Sequence, residues 1–324
     1  MATEFRILGE MQVVQAGRPC DLGSLRQRGL LARLIVRTGQ PTSADHLIEE
    51  LWPEEVPDKA RHALHVYVSR IRASLGDDRD RLLSDTSGYR LQLAPEEVDA
   101  SRFEHQSAEG RVAYDEGRVA EAAETLEAAL ALWRGPALVE FTDESFAATE
   151  ATRLDQLRLT TLEDRVWADL DCGRHAELTE QLRGLTLEQP YREVFWEQRM
   201  LALYRAGRQA EALDAYQYLR RQMRDELGLE PAGETRRLEE RILLHDPDLD
   251  VAEAAVHNLP ARLSTFVGRV DEQRAIEKCL VDHRLVTIVG PGGAGKTRLA
   301  VESAEGMIGR YPDGVWMVDL APID

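Results

Sequence analysis

Long apolar runs, cysteine pairs and an export signal are all missing from this sequence. No eighteen consecutive residues are apolar, so no helix is expected to span a membrane. The three cysteines, Cys20, Cys172 and Cys279, are far apart, which argues against a disulfide framework or a structural zinc site. The N-terminus lacks the basic and then apolar order of a secretion signal. Together these absences favour a cytoplasmic protein.

Acidic residues exceed basic ones over most of the chain, but not at its beginning. The 324 residues carry a formal net charge of −18, with 40 Lys and Arg against 58 Asp and Glu. Residues 1–95 nevertheless contain 13 of each sign, so the excess of acid lies entirely after them. Because an acidic surface repels phosphate, any contact with nucleic acid must come from a local basic surface.

One helix-like segment, KARHALHVYVSRIRASLG at residues 59–76, has four basic residues, two histidines and no acid. One side of such a helix is apolar and would face a core: Leu64, Tyr67, Val68, Ile71 and Leu75. The other side and its flanks are polar or basic: Arg61, His62, His65, Ser69, Arg70 and Arg72. Such a side suits entry into a DNA major groove. The alternative is an ordinary solvated helix face, although those faces usually mix both signs of charge.

The elements predicted around this segment are those of a winged helix-turn-helix. Alternating apolar residues predict two strands within residues 5–13, and helical spacing predicts helices over residues 25–36 and after Ser43. After residue 76, a glycine-containing tip joins two short apolar stretches and predicts a hairpin, the wing. In this fold the third helix reads the major groove, and the wing touches the backbone or the minor groove.

Three segments of the sequence resemble the OmpR/PhoB-type DNA-binding domain: ELW at residues 50–52, YVSRIR at residues 67–72 and GYRL at residues 88–91. The likeness is to the form found in Streptomyces antibiotic regulatory proteins. Together with the helix face, it implies DNA contacts from Arg61, His62, His65, Ser69, Arg70, Arg72 and Arg90. It also implies that the loop of residues 52–58 faces RNA polymerase through Trp52, Glu54, Glu55 and Asp58. Asp85 departs from the family pattern, because many relatives have a basic wing residue there. Arg81 or Arg90 would therefore have to supply the contact of the wing with the minor groove.

Residues 96–245 are predicted to be almost wholly helical, and they repeat a turn motif. The motif reads GRVAEA from Gly117, GRHAEL from Gly173 and GRQAEAL from Gly207. The last two copies are 34 residues apart, which is the tetratricopeptide period, whereas the first two are 56 apart. The spacing therefore predicts an irregular helical array with an insertion around residues 133–155. Such arrays usually contact other proteins.

The end of this region also resembles a known module. DELGLEP at residues 225–231 and RRLE at residues 236–239 resemble the end of the bacterial transcriptional activator domain, which follows the DNA-binding domain in the same family. The likeness runs to about residue 245. It implies that the region mediates self-association and supports binding of a homodimer to direct repeats in DNA.

A phosphate-binding motif follows a polar, proline-flanked linker at residues 246–262. The run LVTIV at residues 285–289 predicts a buried strand, and GPGGAGKT at residues 290–297 matches G-x-x-x-x-G-K-T before a helical pattern. The motif predicts contacts to ATP or ADP, with Mg²⁺ on Thr297, from Gly290, Gly292, Gly293, Gly295, Lys296 and Thr297. FVGR at residues 266–269 resembles the beginning of the NB-ARC type of signalling ATPase. No second acidic motif follows the strand predicted at residues 315–320, so we expect a truncated segment without hydrolytic activity.

The sequence thus predicts a mainly α chain in three parts. A winged helix-turn-helix occupies residues 1–95, an irregular tetratricopeptide-like array residues 96–245, and an incomplete α/β P-loop fragment residues 263–324. The leading hypothesis is a nucleoid-associated bacterial regulator, without enzyme activity, that activates a biosynthetic gene cluster. It would bind double-stranded promoter DNA as a side-by-side dimer and contact RNA polymerase holoenzyme. The alternatives are a signalling ATPase with accessory N-terminal domains and a scaffold that works through its helical array.

Overall fold

The computed structural model describes residues 3–250, 258–259, 269–291, 295–305, 307 and 314–318. Within these residues the chain is mainly helical, as predicted, and it divides into two compact units, Met1–Asp169 and Leu170–Asp324. None of the helices in the described ranges combines the length and the apolar character needed to cross a bilayer.

The first unit begins with a small antiparallel sheet. Its strands pair in chain order and are β1 (Thr3–Arg6), β2 (Gln12–Gln15) and β3 (Arg18–Pro19). Phe5 and Val13 lie opposite each other and are fully buried, which confirms that the apolar alternation marks the core face. Sequence reasoning missed β3, because two exposed residues leave no alternation to detect.

Three helices and a hairpin complete the winged helix. They are α1 (Leu25–Val36), α2 (Ala44–Leu51), α3 (Ala60–Leu75), β4 (Leu82–Asp85) and β5 (Gly88–Leu91). The Oγ of Ser43 accepts the backbone N–H of His46 at 3.2 Å and so caps α2. Helix α3 buries the predicted apolar stripe, except that Tyr67 is only half-buried. The predicted order of helices and wing is therefore confirmed.

The turn motif recurs because each copy ends one helix and starts the next. The helices are α4 (Asp99–Asp115), α5 (Val119–Leu130), α6 (Ser145–Asp171), α7 (His175–Glu188), α8 (Glu193–Arg205), α9 (Gln209–Leu227) and α10 (Gly233–Leu243). Gly117, Gly173 and Gly207 follow α4, α6 and α8 with φ of 78°, 81° and 74°. Residues other than glycine are strained at such φ angles, because their Cβ clashes with the backbone. A common backbone requirement thus explains the common sequence.

The insertion predicted around residues 133–155 packs within the first unit, against the N-terminal sheet and α1. The backbone N–H of Arg134 donates to the Leu8 carbonyl, and that of Leu138 donates to the Ile7 carbonyl, both at 2.9 Å. Leu138 and Phe141 share one hydrophobic core with Phe5 and other N-terminal residues. The boundary predicted after residue 95 therefore runs through one compact unit.

A buried carboxylate strengthens the same junction. Asp99, at the start of α4, accepts the backbone N–H groups of Ile7 at 2.7 Å and Leu8 at 3.0 Å. Burial raises the pKa of Asp99, while these two bonds and Arg134 at 3.4 Å act in the opposite direction. The first residue of α4 thus accepts hydrogen bonds from two backbone N–H groups that directly follow β1.

Part of the C-terminal region departs from its predicted structure. Residues 285–289, predicted as a buried strand, form no strand, and Leu285 and Val289 are 82% and 85% exposed. An apolar run becomes a strand of a parallel sheet only when neighbouring elements pair with it and cover both of its faces. The described residues here contain helices α11 (Val270–Asp282) and α12 (Lys296–Glu305), which supply no such partner strand. Of the predicted linker, residues 251–257 and 260–262 lie outside the described residues, as do residues 266–268 and 319–320.

Candidate nucleic-acid interface

The outer face of α3 presents the predicted basic and polar side chains to solvent. Arg61, His62, His65, Ser69 and Arg70 are all exposed, and no acidic residue occurs anywhere in the helix. Within the described residues, Arg70 makes no hydrogen bond and no ion pair. Its guanidinium is therefore available to an external acceptor. Of the predicted DNA-binding residues on α3, these five are exposed.

A cleft of about 650 Å³ separates α3 from the beginning of α2 and from the wing. Arg61 lies at one side of this cleft, where it forms an ion pair with Asp45 of α2. Both side chains are exposed, so the pair is screened by water and is easily exchanged for another partner. A phosphate group near the cleft would compete with Asp45 for the Arg61 guanidinium.

Arg72 lies on the same helix but is directed to the wing. Its Nε and Nη2 donate to the Leu82 carbonyl at 3.0 and 2.6 Å, and Nη2 also donates to the Ser84 Oγ at 3.1 Å. These bonds join α3 to β4 and leave only Nη1 for a further partner. The structure thus gives Arg72 a positioning role that the sequence did not indicate.

Tyr89 is a residue of this site that sequence reasoning missed. Its hydroxyl lies 2.8 Å from the Nδ1 of His65, while its ring is only 5% exposed beneath the wing. Burial raises the pKa of Tyr89, so its hydroxyl stays protonated at neutral pH. In the segment GYRL, Tyr89 stands two residues before Leu91, so the two side chains lie on the same inner face of β5. This alternation along the strand could have indicated from the sequence that Tyr89 faces α3.

Asp85 organises the tip of the wing. Its carboxylate accepts the backbone N–H of Ser87 at 2.7 Å and also the Ser87 hydroxyl. These bonds hold the pKa of Asp85 below its usual value, although the side chain is exposed. Asp85 therefore shapes the turn and also places a negative charge at the tip of the wing.

The structure distinguishes Arg81 from Arg90, the two arginines predicted to supply the contact of the wing with the minor groove. Arg81 forms ion pairs with Glu97 and, at 2.7 Å, with Asp78. Arg90 is half-buried on β5, where its Nε is buried without a hydrogen-bond partner, and its guanidinium forms no ion pair within the described residues. Arg90 is consequently the better placed of the two for a contact with DNA.

The loop predicted to face RNA polymerase has an exposed acidic part and a buried anchor. Glu54, Glu55 and Asp58 are exposed. Trp52 is instead 6% exposed and stacks on Tyr67, with 6.0 Å between the ring centroids. Its aromatic ring therefore supports the loop from the core side and does not offer a surface to a partner.

Only part of the predicted nucleotide site lies within the described residues. The Lys296 ammonium donates to the carbonyls of Gly290 at 3.0 Å and Pro291 at 2.9 Å. Gly295 has a φ of 72° immediately before α12, and the exposed Thr297 lies in the first turn of that helix. Gly292 and Gly293 lie outside the described residues. A lysine and a helix N-terminus fit a phosphate, and nucleotide binding stays a prediction.

Comparison with known proteins identifies both N-terminal modules. Residues 18–91 match the family described as "Transcriptional regulatory protein, C terminal", and residues 98–243 match "Bacterial transcriptional activator domain". The regulatory protein DnrI of Streptomyces peucetius is 32% identical over 76% of this chain and 94% of its own length. The chain belongs to the Streptomyces antibiotic regulatory protein family.

Other members of this family extend the comparison. The regulatory protein AfsR of Streptomyces coelicolor is 38% identical over 98% of this chain, which spans only 34% of the length of AfsR. A solved structure of Mycobacterium tuberculosis EmbR in complex with a low affinity phosphopeptide superposes with a TM-score of 0.72. It is 36% identical and covers 76% of this chain and 66% of EmbR. The chain thus shares the fold of its two N-terminal modules with EmbR.

Proposed function

We propose that this chain is a sequence-specific DNA-binding regulator that activates transcription of a biosynthetic gene cluster. The observation that carries the proposal is the exposed, acid-free face of α3 in an otherwise acidic protein. A carboxylate on that face would lie close to DNA phosphates, at a cost on the order of 1 kcal/mol or more. DNA binding, rather than catalysis, is the activity proposed for the two N-terminal modules.

The proposal assigns different DNA contacts to different parts of the site. Arg70, with His62, His65 and Ser69, enters the major groove, where side-chain donors distinguish bases. Arg61 exchanges Asp45 for a phosphate, and Arg90 reaches the backbone or the minor groove beside the wing. The tandem arrangement of a DNA-binding module and a helical array supports side-by-side binding of two copies to direct repeats in the promoter.

Contact with RNA polymerase holoenzyme is proposed for the acidic side of the loop after α2. Glu54, Glu55 and Asp58 are exposed on that loop, whereas Trp52 holds it from beneath. Such a contact would recruit the polymerase to a promoter whose neighbouring repeats are occupied by the regulator.

Nucleotide binding is a separate proposal for the C-terminal region. Lys296, Thr297 and the glycines of the motif would hold ATP or ADP with Mg²⁺, and the bound nucleotide would add negative charge at the N-terminus of α12. The alternative of a signalling ATPase receives less support, because residues 285–289 form no strand beside the motif.

Replacement of Arg70 tests the DNA-binding proposal. We expect Arg70→Ala to weaken binding to the specific promoter by about 1–3 kcal/mol and to relax specificity at one base pair. Gel-shift titration, on promoter DNA found by footprinting upstream of neighbouring genes, measures the effect. The logarithm of the affinity should also fall linearly with the logarithm of the salt concentration. Unchanged affinity for Arg70→Ala together with a flat salt dependence would contradict the proposal.

A further inference from the structure

We propose that Tyr89 selects the tautomer of His65, so that α3 presents an imidazole Nε2–H donor to an acceptor on DNA. The inference rests on the proposed DNA-binding function and adds the chemistry that one position of the interface recognises. Tyr89 is in this view a positioning residue, which acts on DNA only through His65.

Tyr89 is held in place by backbone bonds on both sides of its Cα. Its N–H donates to the Thr42 carbonyl at 2.9 Å, and its carbonyl accepts the Thr42 N–H at 2.8 Å. The preceding Gly88 has a φ of 129°, and a Cβ added there would lie 2.0 Å from the Thr42 oxygen. The strand is thus fixed close to residue 42. The buried ring of Tyr89 therefore delivers its hydroxyl to one place, beside His65.

Hydrogen-bond requirements decide which of the two groups donates. Within the described residues, the Tyr89 hydroxyl has one hydrogen-bond partner, the Nδ1 of His65 at 2.8 Å. The cations of Arg61 and Arg72 lie near the hydroxyl, and an arginine offers no acceptor. The hydroxyl is part-buried at the wall of the cleft, and the His65 Nδ1 is its one acceptor among the described residues. Leaving that bond unmade is unfavourable, so in this proposal the hydroxyl donates and Nδ1 accepts. The neutral imidazole then carries its proton on Nε2.

No neighbouring group of the cleft binds the Nε2 atom within the described residues. The acids that line the cleft are Asp45, which pairs with Arg61, and Asp85, which accepts from Ser87. His65 itself is exposed on the outer face of α3. Its Nε2–H is consequently a preoriented donor whose acceptor must come from outside the protein.

A single outward donor has a defined set of partners on DNA. In the major groove it matches a purine N7, a guanine O6 or a thymine O4, and it opposes the amino groups of adenine and cytosine. Outside the groove it matches a phosphate oxygen, which fixes position but carries no sequence information. The shared chemistry is a hydrogen-bond acceptor, and modified DNA distinguishes the two sources.

The tautomer is measured first, by two-bond ¹H–¹⁵N NMR on the full chain, with the His65 signals assigned from the spectrum of His65→Gln. We expect His65 to be the Nε2–H tautomer and to become a mixture of tautomers in Tyr89→Phe, which keeps the buried ring. The matched control is Tyr67→Phe, which removes the hydroxyl of a half-buried tyrosine on the same helix as His65. This variant should leave the His65 signals unchanged. An unchanged tautomer in Tyr89→Phe would overturn the role of Tyr89.

DNA recognition is measured next, with promoter DNA carrying one altered acceptor at a time. The alterations are 7-deazapurines for N7, 2-aminopurine for guanine O6, 5-methyl-2-pyrimidinone for thymine O4 and methylphosphonates for phosphate oxygens. One alteration should lower the affinity of the unsubstituted protein about tenfold, and the same alteration should have little effect on His65→Ala. We expect an intermediate loss of discrimination in Tyr89→Phe. A sensitive base assigns the acceptor to the groove, and a sensitive methylphosphonate assigns it to the backbone.

The two levels of the proposal fail in different ways. If the protein binds its promoter specifically but His65→Ala responds to every alteration as the unsubstituted protein does, the inference about His65 is overturned and the proposed function stands. If the unsubstituted protein does not distinguish promoter from unrelated DNA, the proposed function is overturned and the inference falls with it.

Discussion

Two arginines of α3, only two positions apart, differ in what they are free to do. Arg70 is exposed and unpartnered within the described residues, whereas Arg72 donates three hydrogen bonds to the wing. Both side chains have the same chemistry and the same helical context. Their roles are separated by the carbonyl of Leu82, which lies near one of them and not the other.

This difference predicts that only one of the two alanine substitutions lowers the stability of the fold. Arg72→Ala should lower the free energy of unfolding by about 1–2 kcal/mol, since hydrogen bonds from a charged donor are lost at a half-buried position. It should also weaken DNA binding by loosening the wing. Arg70→Ala should weaken DNA binding alone. Urea unfolding followed by circular dichroism, with gel-shift titration of the same samples, measures both quantities, and equal stabilities for the two variants would contradict the assignment.

At the scale of elements, the contact between α4 and α5 depends on a glycine in the middle of a helix. A Cβ added at Gly110 would lie 2.5 Å from the Cγ of Leu126, whose side chain is fully buried. Ala122 and Ala123 are also fully or almost fully buried on α5. Small residues on both helices therefore allow a close approach, and Gly110 is needed for its size rather than for its backbone freedom.

Two glycine-to-alanine substitutions test this interpretation. Alanine in place of glycine stabilises a helix by about 1 kcal/mol, but overpacking of a core costs about 1–3 kcal/mol. Gly110→Ala should therefore lower the melting temperature. Gly184→Ala in α7 should raise it by the propensity effect, because nothing lies within 4 Å of the added Cβ. Thermal unfolding of both variants measures the two signs, and a stabilised Gly110→Ala would show that α4 and α5 separate easily.

At the scale of the whole molecule, the first compact unit contains more than the winged helix. Its hydrophobic core runs from Phe5 through α1 and α3 to Phe141, Ala147 and Leu154. Arg33 of α1 is 2% exposed and forms ion pairs with Glu144 and, at 3.4 Å, with Glu50 of α2, while its guanidinium lies 4.1 Å from the ring centroid of Phe146. Residues 144 and 146 thus supply part of the cover of a buried charge. The N-terminal module is thus completed by residues of the helical array.

Fragments of different length should consequently behave differently. Residues 1–171, which end with α6, should unfold cooperatively, whereas residues 1–95 should lack a cooperative transition, because their apolar surface and Arg33 lose their cover. Two-dimensional NMR and thermal unfolding of both fragments measure this. A stable, well-dispersed fragment of residues 1–95 would show instead that the array only rests on a self-sufficient domain.

Much of the fold could be predicted because its signals are local. The apolar stripe of α3, the cap at Ser43 and the three glycine turns each depend on residues within a few positions of one another. The strand predicted at residues 285–289 was not found, since a strand requires partners that no local pattern supplies. The irregular spacing of the turn motif predicted an insertion around residues 133–155, but not that these residues pack against the N-terminal sheet.

Local patterns of residues were enough to predict the helices, the wing, the acid-free face and the likeness to a regulatory family. Which polar side chains of that face are free, and which hold the fold together, depends on packing between distant parts of the chain. Arg72 finds its acceptor ten residues away, His65 meets Tyr89 across 24 residues, and Met11 donates to Glu140 across 129. Helical and strand periodicities extend over a few residues, so such distant pairings are settled only when the chain packs.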